Sequence, residues 1–478
     1  MADLSLPLLL PAIRDPELEW RKYTNFFLML LDRRARREVV HSLPIDAVID
    51  PSSACQLSCP YCALGDKSLQ RVRRTMSQEH HAGLIDALGD SLFLIHYFNT
   101  GEPLLNKNFT KLVRQTQGKE IYSVLSTNLS VPLNDQAIED LLTCGLGIIT
   151  VSLDGTFPDT YTQYRRGGDF GLVIDNLQRL VQTKQRLNLE YPLIEWRFLL
   201  FKHNEHQIRD ARLIAAAWGV DLLELYPGVV PPDAAPPNPE QHTGLDLLGH
   251  ATSGPAIDRG LERCDTPFRR VAGNTLLGTP RGALGPRYQK CDWLYGGIAP
   301  YPDGGVGACC VSNHEKDDLG RIDEKTTVLD VWNNHSFQAA RQLFNGGDGG
   351  QTVCARCPAK DVQDYQFRAT VQAILRNAPE WALALVASDA ERFFYPIDFA
   401  LSPDEFDAIR GMRELTARSF PEIARRLREE AGRRPAQAAD LESMAAMLSG
   451  ESTGARSATR QSAAAAPPHQ PLEGSVRR

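Results

Sequence analysis

No hydrophobic run in this sequence approaches the ~18 apolar residues that a membrane-spanning helix requires. The longest near the start extends only from Phe26 to Leu31. The N-terminus, Met1-Ala2-Asp3-Leu4, has neither a basic region nor a small-residue cleavage site, so no secretory signal is expected. An excess of basic residues is also missing: Lys and Arg number 52 against 59 Asp and Glu, a net charge of −7. That balance leaves no electrostatic footprint for nucleic acid and no polybasic membrane patch. Nor does stability call for a disulfide framework, because 478 residues with 42% hydrophobic content can bury a large core. At roughly 150 residues per domain the length predicts two to three domains, although α/β barrels exceed that as single units. These absences predict a cytoplasmic protein that binds neither nucleic acid nor membrane.

What the chain does have is ten cysteines in two sets. Cys55, Cys59 and Cys62 lie early; Cys291, Cys309, Cys310, Cys354 and Cys357 lie late; Cys144 and Cys264 stand alone. In a reducing compartment clustered cysteines are more often metal ligands or catalytic groups than disulfides.

Between residues 45 and 228 short apolar runs alternate with helix-period segments. The strand candidates are Ile45–Ile49, Leu92–Asn99, Ile121–Ser126, Gly147–Leu153, Leu193–Phe201 and Asp221–Tyr226. Helical segments fall near 77–89, 106–117, 134–144, 169–187 and 205–218. This alternation predicts βαβ units and a parallel sheet, and six such units make a partial (β/α)6 barrel of the α/β class the natural architecture. Asn204, with Gln207 three residues on, has capping-box form, and Asn134-Asp135 marks another helix start. Before the barrel, residues 1–44 form an extension whose 16–40 segment reads as an amphipathic helix. Its basic end, Arg33-Arg34-Ala35-Arg36-Arg37, reads as a solvated face that complements the helix dipole. After the barrel, 229–288 is a Pro/Gly-rich insertion expected to be a long loop or lid. Residues 289–360 carry the second cysteine set around the hairpin signal Asp303-Gly304-Gly305. Residues 361–447 look helical, and 448–478 have the composition of a disordered tail.

Cys55-x-x-x-Cys59-x-x-Cys62 follows the first strand, at the carboxyl end where β/α barrels place their chemistry. Three thiolates on one tight loop suit three irons of a [4Fe–4S] cubane and leave the fourth open. Zinc is the alternative, but it wants four closed ligands, and the nearest further donors are His80 and His81. The loop, with Tyr61 before its last cysteine, resembles that of the radical S-adenosylmethionine (SAM) superfamily. The likeness continues in order along the chain. Thr100-Gly101-Glu102-Pro103 is similar to the family's Gly-Gly-Glu-Pro turn, with Thr100 in place of the first Gly. Leu125-Ser126-Thr127-Asn128, Val151-Ser152-Leu153-Asp154-Gly155 and Tyr164-Arg165-Arg166-Gly167 match later strand-end segments. Read singly, each has a plainer account as a turn, a helix cap or solvated charge. The resemblance implies that Tyr61, Gly101, Glu102, Ser126, Asn128, Ser152 and Arg165 bind SAM, with Glu102 at the methionine ammonium and Ser152 and Arg165 at its carboxylate. It also implies reductive cleavage of SAM to methionine and a 5′-deoxyadenosyl radical that takes hydrogen from substrate. The electron would come from an external one-electron donor of flavodoxin or ferredoxin type.

By itself the second set could hold zinc or an iron–sulfur cluster. Behind such a barrel its order resembles the SPASM/Twitch extension, which implies an auxiliary [4Fe–4S] cluster on Cys291, Cys309, Cys354 and Cys357. No cysteine follows Cys357, which matches the shorter Twitch form. Spacing from Gly304 and Gly305 does not decide between Cys309 and Cys310, and Cys309 is favoured. Cys144 reads as a core thiol, and Cys264 as having no role.

In Ile194-Glu195-Trp196-Arg197-Phe198-Leu199, alternation places Glu195 and Arg197 on one face. The large apolar residues want the helix-covered outside, so the charged pair should face the lumen, either as a salt bridge or on a polar substrate. Tyr226 is a further catalytic candidate; Tyr97 and Asn99 are weaker ones. Trp218, Trp293, Tyr295 and Tyr301 read as packing. The resemblance implies an oxidoreductase or lyase acting on a small-molecule substrate, an aminosugar or aminocyclitol as in aminoglycoside biosynthesis. The alternative is a peptide-modifying enzyme, although such enzymes usually carry a leader-binding domain for which residues 1–44 leave little room. A zinc-stabilised interaction scaffold is the non-enzymatic reading.

Overall fold

The computed structural model describes residues 10–227, 244–247, 291, 293–310, 312–357, 370–371, 373–375, 377–388 and 420–449. Six parallel strands form its centre: β1 (Asp46–Ile49), β2 (Leu94–Tyr97), β3 (Tyr122–Thr127), β4 (Ile148–Ser152), β5 (Leu193–Leu200) and β6 (Leu222–Pro227). Helices α2 (Gln78–Leu88), α3 (Phe109–Arg114), α4 (Asp135–Thr143), α5 (Pro158–Tyr164), α6 (Phe170–Arg186) and α7 (Ile208–Trp218) connect them, after an initial helix α1 (Pro16–Ala35). The sheet order is β10 (Gly320–Arg321), β9 (Gly305–Gly307), β8 (Gly297–Pro300), β1, β2, β3, β4, β5, β6 and β7 (Gly244–Leu247), so the six-strand barrel stays open. β1 also pairs in parallel with β8 (Gly297–Pro300), and β8 continues antiparallel to β9 (Gly305–Gly307) and β10 (Gly320–Arg321). The cysteine-bearing hairpin is thus an extension of the barrel sheet, and its turn is the Asp303-Gly304-Gly305 segment.

The strands formed where the apolar runs predicted them, because each buries both faces. One face packs on helices: Trp196 stacks on Trp218 of α7 with ring centroids 5.5 Å apart, and its indole donates to the Leu153 carbonyl at 2.6 Å. The opposite face, carrying Glu195 and Arg197, lines the lumen.

Several expectations are corrected. β7 (Gly244–Leu247) pairs antiparallel with β6, so the insertion contributes a strand; the rest of it, Cys264 included, lies outside the described residues. The tail beyond 449 lies outside them as well. The first helix ends at Ala35, with Arg36 left-handed at its cap, and it is buried on nearly every side rather than amphipathic. At its basic end Arg34 and Arg36 are exposed as expected, whereas Arg37 bonds Asp32 at 2.8 Å and Asp440 at 2.6 and 2.8 Å, joining this helix to the C-terminal helix Ala438–Ser449. Asn204 caps no helix: its side chain bonds the Phe201 amide and the Asp154 and Leu199 carbonyls. Asn134, in contrast, accepts from Ala137 N at 2.8 Å as a true N-cap. Residues 420–433 and 438–449 are helical as expected.

Lys22 of α1 is fully buried, its ammonium donating to the Leu92 carbonyl at 2.5 Å. Burial pulls it from 10.5 down to about 7. Between those two values the unfolded chain binds the extra proton, so this group makes stability rise with pH across that window. Replacing Lys22 with Met should remove that rise. Urea unfolding of both proteins at pH 7 and 9 checks it, the variant's relative stability being expected to decline toward pH 9.

Candidate cluster and SAM site

The loop after β1 carries Cys55, Cys59 and Cys62, and the chain around it explains its shape. Asn128, just past β3, donates from Nδ2 to Cys55 Sγ at 3.6 Å, and Leu57 N donates to the same sulfur at 3.4 Å. Gln56 reaches Asn128 Oδ1 and the Ser130 carbonyl, both at 2.8 Å, which fastens the loop to the end of β3. Gly101 sits where a Cβ would lie 2.0 Å from the Ser52 carbonyl and 2.5 Å from that of Ala54, so only glycine lets the turn approach. Thr100, standing where the family has glycine, gives its hydroxyl to buried Asp50 at the end of β1. Burial pushes the Asp50 carboxyl up to about 7.

Glu102 is buried. Its Oε1 accepts from Thr127 Oγ1 at 2.6 Å and Leu104 N at 3.0 Å, and its Oε2 from Asn128 N at 2.8 Å. A carboxylate has about four acceptor positions, so one remains for a ligand donor. Ser126 and Ser152, at the ends of β3 and β4, are partly exposed on the lumen face. Arg165 donates from Nε to buried Asp154 at 2.5 Å, and Asp154 is fixed in turn by Leu199 N at 2.8 Å. Arg165 also feels the thiol of Cys59. Asp154 was legible only as part of a turn, although an acid three residues after a strand's last valine was a usable signal. Tyr61 is 41% exposed and stacks on Tyr164 at 6.0 Å, and Phe201 lies 4.4 Å from Tyr164, forming an aromatic shelf beside the loop.

The donor set and its spacing fit a cubane. Among the described residues the one trio of metal-type donors within 4.8 Å of one another is Asp32, His41 and Asp440, which Arg37 already fills. Three thiols on one loop suit three irons of a cubane and leave the fourth iron open. Burial pushes the Cys59 thiol up to about 11, so cluster assembly must displace its proton.

In the second set, Cys309 lies close enough to Cys354 to raise its thiol, as does Cys357, although burial is the main cause of its rise to about 12. Cys291, Cys309 and Cys310 pack against Trp293, Ala299 and Tyr301. Cys144 is fully buried.

In the lumen Arg197 pairs with both Glu195, at 3.4 Å, and Glu224 of β6, whose acid the sequence reading missed. Glu195 Oε2 accepts from Thr150 Oγ1 at 3.1 Å, and Tyr226 lies 5.8 Å from the guanidinium. Tyr97 is not in the lumen: its hydroxyl meets His81 of α2 at 2.9 Å on the helix side. Asn99 donates to Tyr301 Oη at 2.9 Å.

A half-open parallel barrel with a three-cysteine loop at its carboxyl end, flanked by a hairpin bearing further cysteines, is the arrangement expected of an iron–sulfur protein. Comparison with known proteins makes this specific. Residues 49–194 match the radical SAM superfamily, and residues 291–358 match an iron–sulfur cluster-binding domain of the SPASM family. The chain therefore carries a radical SAM domain followed by a SPASM domain, and the two domains imply [4Fe–4S] clusters and SAM as cofactors. The PqqA peptide cyclase of Xanthomonas euvesicatoria pv. vesicatoria is 23% identical over 330 residues, covering 67% of this chain and 81% of its own. Two solved structures show a weaker likeness. BtrN in complex with AdoMet and 2-DOIA has 15% identity, a TM-score of 0.38, and coverage of 68% of this chain and 96% of its own. SuiB of Streptococcus suis bound to precursor peptide SuiA has 14% identity, a TM-score of 0.43, and coverage of 66% and 69%. Among the described residues no helix is long and apolar enough to cross a membrane.

Proposed function

We propose that the chain modifies a peptide, as an oxidoreductase that removes hydrogen from a side chain of a precursor and leaves a new bond. The observation that carries this reading is the match to a peptide cyclase over 81% of that enzyme's length. The curated relatives favour a peptide over the aminosugar or aminocyclitol substrate expected from the sequence.

Cys55, Cys59 and Cys62 would hold a cluster that, when bound, would supply the electron for SAM cleavage. The chain's own residues bind and orient. Glu102 offers its remaining acceptor position to the methionine ammonium, and Ser126, Ser152 and Arg165 offer donors to its carboxylate. Asp154 aims Arg165, and the Tyr61 shelf keeps water from the loop. Glu195, Arg197 and Glu224 give the lumen a polar floor, with Tyr226 5.8 Å from the guanidinium, which suits the polar groups of a peptide. The auxiliary site is assigned to Cys291, Cys309, Cys354 and Cys357. Its four-thiolate closure favours electron transfer or bracing over substrate binding. A cytoplasmic location fits these free thiols.

Incubation of the reconstituted enzyme with SAM, a low-potential reductant and a PqqA-type peptide tests the reading by mass spectrometry. Loss of two hydrogen atoms from the peptide is expected, with 5′-deoxyadenosine formed in step. Deoxyadenosine release stimulated by an aminocyclitol and not by peptides would overturn it. Replacing Cys354 with Ala should spare SAM cleavage while product formation falls, so that deoxyadenosine exceeds product; equal loss of both would count against the auxiliary role.

A further inference from the structure

The cysteine loop is wrapped by cations that the site does not use. Lys67 lies in the turn closed by Asp66 N on the Cys62 carbonyl and Leu69 N on that of Ala63. Arg73 and Arg74 belong to a segment that pairs with the start of the loop, Ser53 N bonding the Arg74 carbonyl at 2.9 Å and Ser52 bridging Thr75. Arg166 accepts from Ser58 N through its carbonyl at 2.8 Å. All four side chains are exposed, and no ion pair is formed by any of them among the described residues. The one acid between residues 54 and 78 is Asp66, whose carboxylate is engaged by Ser68 N at 2.8 Å. The remaining cation of the segment, Arg71, is buried and paired with Asp303 and Asp318. Two large apolar side chains stand exposed in this rim, Tyr61 at 41% and Val72 at 53%. Four exposed cations and two exposed apolar side chains thus lie on the cluster loop or on segments bonded to it, in a chain whose net charge is −7.

We propose that this surface, formed by Lys67, Arg73, Arg74 and Arg166 around Tyr61 and Val72, docks an acidic one-electron donor protein of the flavodoxin class. The proposal rests on the assignment of a cluster to Cys55, Cys59 and Cys62. Each reductive cleavage of SAM takes up one electron, and the resting enzyme must draw the first of these from a donor outside the chain, which is oxidised by one electron as the cluster is reduced. Electron transfer favours the shortest separation, and these cations sit on backbone bonded directly to the cluster-bearing loop. Complementary charge raises the encounter rate of such small, transient interfaces more than their affinity.

The test is stopped-flow reduction of the reconstituted holoenzyme, following loss of cluster absorbance with reduced flavodoxin as the probe. In the K67E/R73E/R74E variant the second-order rate should fall by about tenfold or more at low ionic strength. The parent's rate should fall steeply as salt is added, and the variant's should not. Photoreduction through a small deazaflavin should bleach both clusters alike; together with iron content, this tests the cluster assignment separately. Should the charge reversal lower iron loading, the neutral K67Q/R73Q/R74Q variant and the salt series on the parent decide. Reduction by flavodoxin that is insensitive to salt in the parent and equal in the variants overturns the proposal. So does a charge reversal that weakens only the binding of an acidic precursor peptide.

Discussion

Gly101→Ala is expected to abolish SAM cleavage while leaving the chain folded. A Cβ at this position meets the Ser52 carbonyl at 2.0 Å and the Ala54 carbonyl and amide at 2.5 and 2.8 Å, all backbone atoms of the segment that leads into Cys55. Backbone cannot swing aside as a side chain does, so the turn and the loop must separate. Separation breaks the Glu102 N bond to the Ala54 carbonyl, now 2.8 Å, which holds the glutamate over the loop. Catalytic geometry is intolerant of shifts of this size: a displacement of ~1 Å costs on the order of a hundredfold in rate. The expected result is weak SAM binding and at least that loss of deoxyadenosine formation, measured beside the parent at matched iron content. Cleavage within about threefold of the parent would show that the turn tolerates the shift.

The second large effect is expected at Arg71, which ties the barrel loop to the cysteine hairpin. Its side chain and that of Asp303 are 0% and 1% exposed. The guanidinium donates to both oxygens of Asp303 at 2.9 and 3.0 Å, to Asp318, and to the Asn313 carbonyl at 3.0 Å, with its plane 3.6 Å from the Tyr301 ring. Even with this partner, burial holds the Asp318 carboxyl up at about 6. Arg71→Met leaves two buried carboxylates facing each other without a cation, a loss of about 3–5 kcal/mol. Urea unfolding reads the change, and hydrogen exchange at residues 303–321 should show the hairpin released first. Adding Asp303→Asn and Asp318→Asn should recover part of the loss. A cost below ~1 kcal/mol, as for a surface pair, would contradict this account of the junction.

The barrel was legible because each strand buries both faces and so declares itself as an apolar run. The site was legible because its residues cluster at strand ends within short motifs. What stayed hidden depends on partners distant in sequence. Arg37 reads as surface charge until Asp440 arrives from the C-terminal helix, and Arg71 until Asp303 and Asp318 arrive from the hairpin. Glu224 completes the lumen ion pairs only because β6 lies in register beside β5, with Arg197 opposite it. Tyr97 was misplaced for a local reason. Period-2 alternation assigns it to the face opposite His96, yet a phenol at a strand end suits either side until His81 is seen to bond it. Asn204 has the chemistry of a cap, but a loop folding back on Asp154 uses that amide first.

Iron, sulfide and zinc content after anaerobic reconstitution tests the central claim most directly. Two clusters require about eight irons per chain, falling to about four when Cys55, Cys59 and Cys62 are replaced by Ala. About four irons with one zinc would keep the SAM-binding cluster and make the hairpin site structural. Zinc alone, with no iron and no cleavage of SAM by the reduced protein, would contradict the account.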